Sequence, residues 1–137
     1  MNIYLDIDGV LLKKDGSLAE YFDEFLEFFV DKHNVFWLTT HCQGRDNNAI
    51  WHINQYNEVS KRSLELLQKI KPTDWQTLKT EGIDFSQDFI WFDDYLLEAE
   101  KEILKKYGAD QKVILINLNE NPDILKDVLS RLRSDGF

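Results

Sequence analysis

The chain has a single cysteine, Cys42, so an intrachain disulfide is excluded and the fold must be held by packing. Proline is nearly absent, at two in 137 residues, and glycine is sparse at six, which argues against collagen-like and low-complexity chains. Positive charge is scarce too: 16 Lys and Arg face 25 Asp and Glu, for a formal charge of −9. Such a balance repels nucleic-acid phosphates and anionic membranes unless a bound cation offsets it locally, so neither is an expected partner. No apolar run approaches transmembrane length, and Met1-Asn2-Ile3-Tyr4-Leu5-Asp6 lacks the basic start and long apolar stretch of a signal peptide. The expected location is the cytoplasm.

What is present is enough apolar material for a core, 43% hydrophobic and 13% aromatic residues, in a length that suits one domain over residues 1–137. Ile3-Tyr4-Leu5, Val35-Phe36-Trp37-Leu38, Phe89-Ile90-Trp91-Phe92 and Val113-Ile114-Leu115-Ile116 are short uninterrupted apolar runs, the pattern of strands covered on both faces. Between them lie helical spacings. Ser17-Leu18-Ala19-Glu20 matches a capping box and predicts a helix start, followed by an apolar face from Leu18 to Val30. Helices are also expected over Arg45 to Tyr56, Ser60 to Ile70, Leu96 to Tyr107 with Gly108 closing it, and from Asn121-Pro122 to about Arg133, with a short one from Trp75 to Glu81. No strand is evident between Tyr56 and Trp75. Alternating strands and helices predict an α/β fold: a three-layer, Rossmann-like open parallel sheet with helices on both faces and the active site at the strands' carboxyl ends.

The acidic residues fall at those ends. Asp6-Ile7-Asp8-Gly9-Val10 sets two carboxylates one residue apart after the first run, and Asp93-Asp94 ends the third. One such carboxylate can attack phosphorus while another handles the leaving-group proton, and several together can hold a hard cation such as Mg²⁺. Thr39 ends the second run, where its hydroxyl can hold a phosphate oxygen, and Lys79 precedes the third, where an ammonium can neutralise the transferring group. Each has a plainer reading: strand-end turn formers for Asp6, Asp8 and Thr39, a solvated helix charge for Lys79, a helix cap for Asp94. Their order is what raises the chemical one.

In that order the residues resemble the haloacid dehalogenase (HAD) superfamily of phosphohydrolases and phosphotransferases. Asp6-Ile7-Asp8-Gly9-Val10 is similar to its first motif, Val35-Phe36-Trp37-Leu38-Thr39-Thr40 to its second, Lys79 to its third and Phe89-Ile90-Trp91-Phe92-Asp93-Asp94 to its fourth, covering residues 3 to 94. The resemblance implies Asp6 as the nucleophile that becomes an aspartyl phosphate and Asp8 as general acid and base. It implies Thr39, Thr40 and Lys79 as phosphate-binding groups. It implies Mg²⁺ held by Asp93 with Asp6 and the backbone carbonyl of Asp8, and Asp94 as a supporting or alternative ligand. Lys61, Lys69 and Lys71 also precede the fourth motif; Lys79 is preferred because it follows Leu78 and stands closest to the strand. Thr39 follows Asp8 by 31 positions and Asp93 follows Lys79 by 14, neither gap being long enough for a cap domain. The expectation is therefore a capless, HAD-like phosphate-monoester phosphatase with an open site for a small or macromolecular phosphorylated substrate, and with Leu11 to Gly16 as a small flap. The alternative is a non-catalytic module of the same fold that binds a phosphorylated partner. A receiver domain is disfavoured by motif order, because here the adjacent acids come last.

The remaining candidates read as ordinary. His41, Cys42 and His52 lack the paired spacing of a zinc site. Trp37 and Trp91 are expected in the core and Trp51 and Trp75 at the surface, and Asp23-Glu24 and Glu98 to Glu102 as solvated helix faces.

Overall fold

A computed structural model of the chain describes residues 1–44 and 47–137. Four apolar runs become strands: β1 (Asn2–Leu5), β2 (Asn34–Trp37), β3 (Phe89–Asp93) and β4 (Val113–Leu115). They form one parallel sheet in the order β2-β1-β3-β4, with Leu5 opposite both Trp37 and Phe92. β1 is therefore central, and the residues that follow β1 and β2 emerge level with the end of β3. The Asp6 amide continues the ladder to the Phe92 carbonyl at 3.0 Å, and that of Leu38 to Leu5 at 2.8 Å.

Helices α1 (Phe22–Phe29), α2 (Ala49–Asn54), α3 (Lys61–Gln68), α4 (Glu98–Lys106) and α5 (Ile124–Ser134) cover the sheet. Alternation along β1 sends Ile3 and Leu5 into a core with Phe25 and Phe29 of α1, Leu66 and Leu67 of α3 and Leu129 of α5. Tyr4 faces the opposite way, into a second cluster with Phe89 and Trp91 of β3 and Leu104 of α4. Helices thus pack on both faces. Phe25 meets Phe92 edge to face at 5.1 Å, which ties α1 to the strand that carries Asp93.

Several expected boundaries move, for local reasons. Ser17 does not cap α1: its hydroxyl and amide both bond to Asp15, while Leu12 bridges Leu18 in an antiparallel pairing, so these residues form a turn instead. α1 begins after Tyr21, whose left-handed backbone (φ 65°) cannot continue a helix. Of the helix expected over Arg45 to Tyr56, Arg45 lies outside the described residues and α2 occupies Ala49–Asn54. Ser60 does cap α3, accepting the Ser63 amide at 3.1 Å. Trp75 to Glu81 is no helix; only a 3₁₀ turn at Lys79–Gly82 forms, held by Glu81 collecting the amides of Gln76, Thr77 and Leu78. α5 starts at Ile124, two residues beyond Pro122. Between Tyr56 and Trp75 the sheet gains only an isolated bridge, in which Lys71 bonds to Val35 and Trp37. No described helix is long and apolar enough to cross a membrane.

Candidate active site

Asp6 leaves the central strand with its side chain buried, 6% exposed, and Asp93 ends β3 at 1% exposure. Oxygens of Asp6, Asp93 and Asp94 lie within 4.8 Å of one another. The 3₁₀ turn delivers Lys79 to this cluster, its Nζ 2.7 Å from Asp93 Oδ2 and 3.3 Å from Asp6 Oδ2. One ammonium does not balance three carboxylates. Burial, then the charge of Asp93, push the Asp6 carboxyl up to about 8 against the opposing pull of Lys79. Burial and the hydrogen bond with Asp93 likewise raise Asp94 to about 6. Burial works against the charged form of Lys79, but Asp6 and Asp93 outweigh it and raise its pKa.

The donor set, three converging carboxylates with excess negative charge, fits a hard divalent cation; Asp6, Asp93 and Asp94 are the side chains that would hold it. Asp8 does not bring its carboxylate to this trio. It turns instead to two histidines: His41 Nε2 lies 2.8 Å from Oδ2, and His52 Nε2 2.8 Å from Oδ1. Of the roles implied for Asp8 at a metal, only that of its backbone carbonyl remains compatible with this orientation. Partial burial would raise the Asp8 carboxyl, but the hydrogen bonds from His52 and His41 bring it below its ordinary value.

Gly9 makes the two acidic motifs meet. At φ +82°, a Cβ built there would stand 2.6 Å from Asp94 Oδ2, so glycine is required both by the backbone and by the approach of Asp94. Two cavities adjoin at this point, both touching Asp8 and Asp94. The smaller, about 410 Å³, is lined by Asp6, Lys79, Thr40 and Trp75. The larger, about 660 Å³, is lined by His52, Tyr56, Lys14 and Asn117. Thr39 is buried at the end of β2, its hydroxyl oxygen accepting the His41 amide at 3.4 Å, while Thr40 is exposed on the smaller cavity.

The structure thus gathers Asp6, Asp93, Asp94, Lys79 and Thr40 around one crevice, with Asp8 at its edge. Lys69 pairs with Asp31 and Lys71 lies over the Phe36 ring, both away from it. Sequence reading passed over three residues. His41 and His52 were expected to be unremarkable and instead hold Asp8; the signal for His41 was its place directly after the second motif. Glu100 was expected on a solvated face but is 3% exposed. Its carboxylate accepts the Lys79 amide at 2.9 Å and the Leu97 amide at 3.0 Å, fixing the turn that presents Lys79. Trp75, expected at the surface, is 5% exposed in the α4-side core, whereas Trp51 is indeed exposed.

The molecule is an α/β protein with an acidic, lysine-bearing crevice at the carboxyl ends of its central strands. No protein-family model matches the chain, and neither a curated protein nor a solved structure matches it.

Proposed function

We propose that this chain is a capless, HAD-type, Mg²⁺-dependent phosphohydrolase that cleaves phosphate monoesters through an aspartyl phosphate. The observation that carries the reading is the contact of Lys79 with both Asp6 and Asp93, since it joins the residues of three separate motifs in one charged crevice. Support also comes from strand order: in a parallel sheet, ligands bind where adjacent connections leave in opposite directions, and β1 and β3 flank such a point here.

The phosphoryl group sits in the smaller cavity, with Lys79 neutralising its oxygens and Thr40, on the exposed rim, offering a hydroxyl. Asp6 attacks phosphorus in line; the new O–P bond forms as the bond to the leaving oxygen breaks. Asp8 gives a proton to the leaving oxygen, then takes one from a water that attacks the aspartyl phosphate, releasing inorganic phosphate and restoring Asp6. The hydrogen bonds on Asp8 favour its carboxylate, the form needed in the second half. A divalent cation held by Asp6, Asp93 and Asp94 would supply charge neutralisation at the phosphoryl oxygens. The segment between Asp8 and Thr39 holds a small turn, α1 and β2, which supports a capless reading with a crevice open to a small or macromolecular substrate.

The test is a phosphatase screen over nucleotides, sugar phosphates, phosphopeptides and nucleic-acid ends, with Mg²⁺ and with chelator, using Asp6→Asn as control. Mg²⁺-dependent phosphate release that vanishes in Asp6→Asn is expected. Tight binding of a phosphorylated ligand without release would instead establish a non-catalytic module.

A further inference from the structure

The larger cavity has no part in the chemistry above, which uses only the smaller one. Three separate segments wall it: the turn after β1 with Leu12, Lys14 and Asp15, the end of α2 with Tyr56, and the connection from β4 to α5 with Leu118 and Asn119. Asp8 and Asp94 line both cavities, so the two spaces meet at these side chains. A monoester whose phosphorus lies against Asp6 has the larger space open to its organic part, and the volume there, about 660 Å³, is that of an ordinary small-molecule site.

Tyr56 is 78% exposed. A lone exposed aromatic on an open surface is ordinary, but this one stands in a cavity and is braced. Gln55 Nε2 donates to its hydroxyl at 3.2 Å, and Asn57 Nδ2 donates to the carbonyls of Gly16 and Ile53, both at 2.9 Å. Gly16 lies beside the ring, since a Cβ added there would stand 3.8 Å from Tyr56 Cδ2. The ring is held at its hydroxyl and flanked by the turn while most of its surface stays open, a stacking surface that loses little freedom when covered. From another wall comes Asn119, whose backbone amide donates to Asn117 Oδ1 at 3.1 Å, so its carboxamide leaves a fixed turn. A carboxamide offers donor and acceptor together and matches the edge of a nucleobase. Charge narrows the choice further. Lys13 pairs with Glu20 at 2.8 Å, which leaves Lys14 against Asp8, Asp15 and Asp94 around the cavity. A second anionic group on the ligand would meet net negative charge there, whereas an uncharged ring would not.

We propose that the larger cavity is a subsite for an uncharged, planar ring on the leaving group, with Tyr56 stacking on its face and Asn119 reading its edge, and that the substrates are nucleoside monophosphates. The ribose spans the place where the cavities meet, and the base lies beyond it. The inference rests on the phosphohydrolase reading. It separates mononucleotides from nucleic-acid strands, whose flanking phosphates the same charge repels.

The experiment compares adenosine 5′-monophosphate with ribose 5-phosphate at saturating Mg²⁺, two substrates that share the reacting ester and the sugar and differ by the base. In the unaltered protein kcat/KM should be about 5–100-fold higher for the nucleotide, the range for one base stacked on one aromatic side chain. Tyr56→Ala should bring that ratio down to about 1–3, and Tyr56→Phe, which keeps the ring, should preserve it. A ratio is unmoved by a variant that merely folds less well. Adenosine 3′,5′-bisphosphate should be a poorer substrate than the monophosphate, because its second phosphate meets the acidic wall. Equal efficiency on nucleotide and ribose 5-phosphate, a ratio that survives Tyr56→Ala or collapses in Tyr56→Phe, or a bisphosphate preferred to the monophosphate would overturn the proposal. So would phosphate release from other esters but from neither of these two. In each of those cases an inactive Asp6→Asn leaves the phosphohydrolase reading standing. Hydrolysis that survives in Asp6→Asn, or no hydrolysis of any ester by the unaltered protein, would instead overturn that reading and this inference with it.

Discussion

Removing the charge of Asp6 should stabilise the metal-free protein while ending its turnover. The carboxyl titrates near 3.8 when exposed and near 8 in the folded chain, raised chiefly by burial and then by Asp93. Between those values the folded state binds the extra proton, so stability falls as pH rises. Each pH unit in that window costs about 1.4 kcal/mol, so as much as about 4 kcal/mol has been lost by pH 7. Asparagine keeps the shape of the side chain and the oxygen that accepts the Ile7 amide at 2.8 Å, but has no charge to desolvate. Asp6→Asn should recover about half of the loss or more, roughly 2–4 kcal/mol at neutral pH, which for a chain of this size is about 5–15 °C in Tm. Thermal melts of both proteins in chelator at pH 5, 7 and 8 check this, and their difference cancels the titration of most other groups. The gap should be small at pH 5 and wide at pH 8, and Mg²⁺ should raise the Tm of the unaltered protein more than that of the variant. A gap constant from pH 5 to 8, or a variant less stable at pH 8, would refute the reasoning.

Lys79→Ala should cut phosphate release by about 10²–10³-fold, as for other losses of a preorganised cationic or hydrogen-bonding group, while Lys61→Ala, Lys69→Ala and Lys71→Ala stay near normal; a collapse at one of those three would move the third motif. Gly9→Ala meets both a positive φ and Asp94 Oδ2 at 2.6 Å, so urea denaturation should show a loss of about 1–2 kcal/mol from the backbone alone, with activity falling as Asp94 is displaced. Unchanged stability and activity would mean that the close approach is not required. Glu100→Ala leaves the amides of Lys79 and Leu97 without their acceptor; a loss of about 1–3 kcal/mol in melts and a fall in kcat with little change in KM are expected.

Much of the sheet was legible in the sequence because its signals are local. Four uninterrupted apolar runs mark strands buried on both faces, and their acidic or hydroxyl ends mark the carboxyl edge, so Asp6, Thr39 and Asp93 fall on one rim from the residue pattern alone. The same local reasoning misplaced the start of α1, because Ser17 satisfies a capping pattern equally well as a turn partner of Asp15, and the choice is made by the Leu12–Leu18 pairing. It also misread Trp75 and Glu100. Both sit among polar neighbours in sequence, and only packing around α4 and the Lys79 turn buries them.

The site divides along the same line. Residue types and their order singled out the acids and Lys79, since strand ends hold chemistry by position. That Lys79 reaches Asp6 and Asp93, that the Asp8 carboxylate turns away from them, and that the mutually stacked rings of His41 and His52 both meet it are decisions of tertiary structure. His41 and His52 come from a turn and a helix that touch Asp8 only after β1, β2 and α2 have been brought together. A contact between segments distant in the chain leaves no periodicity within either of them, because its free energy is gained only when the whole sheet has assembled.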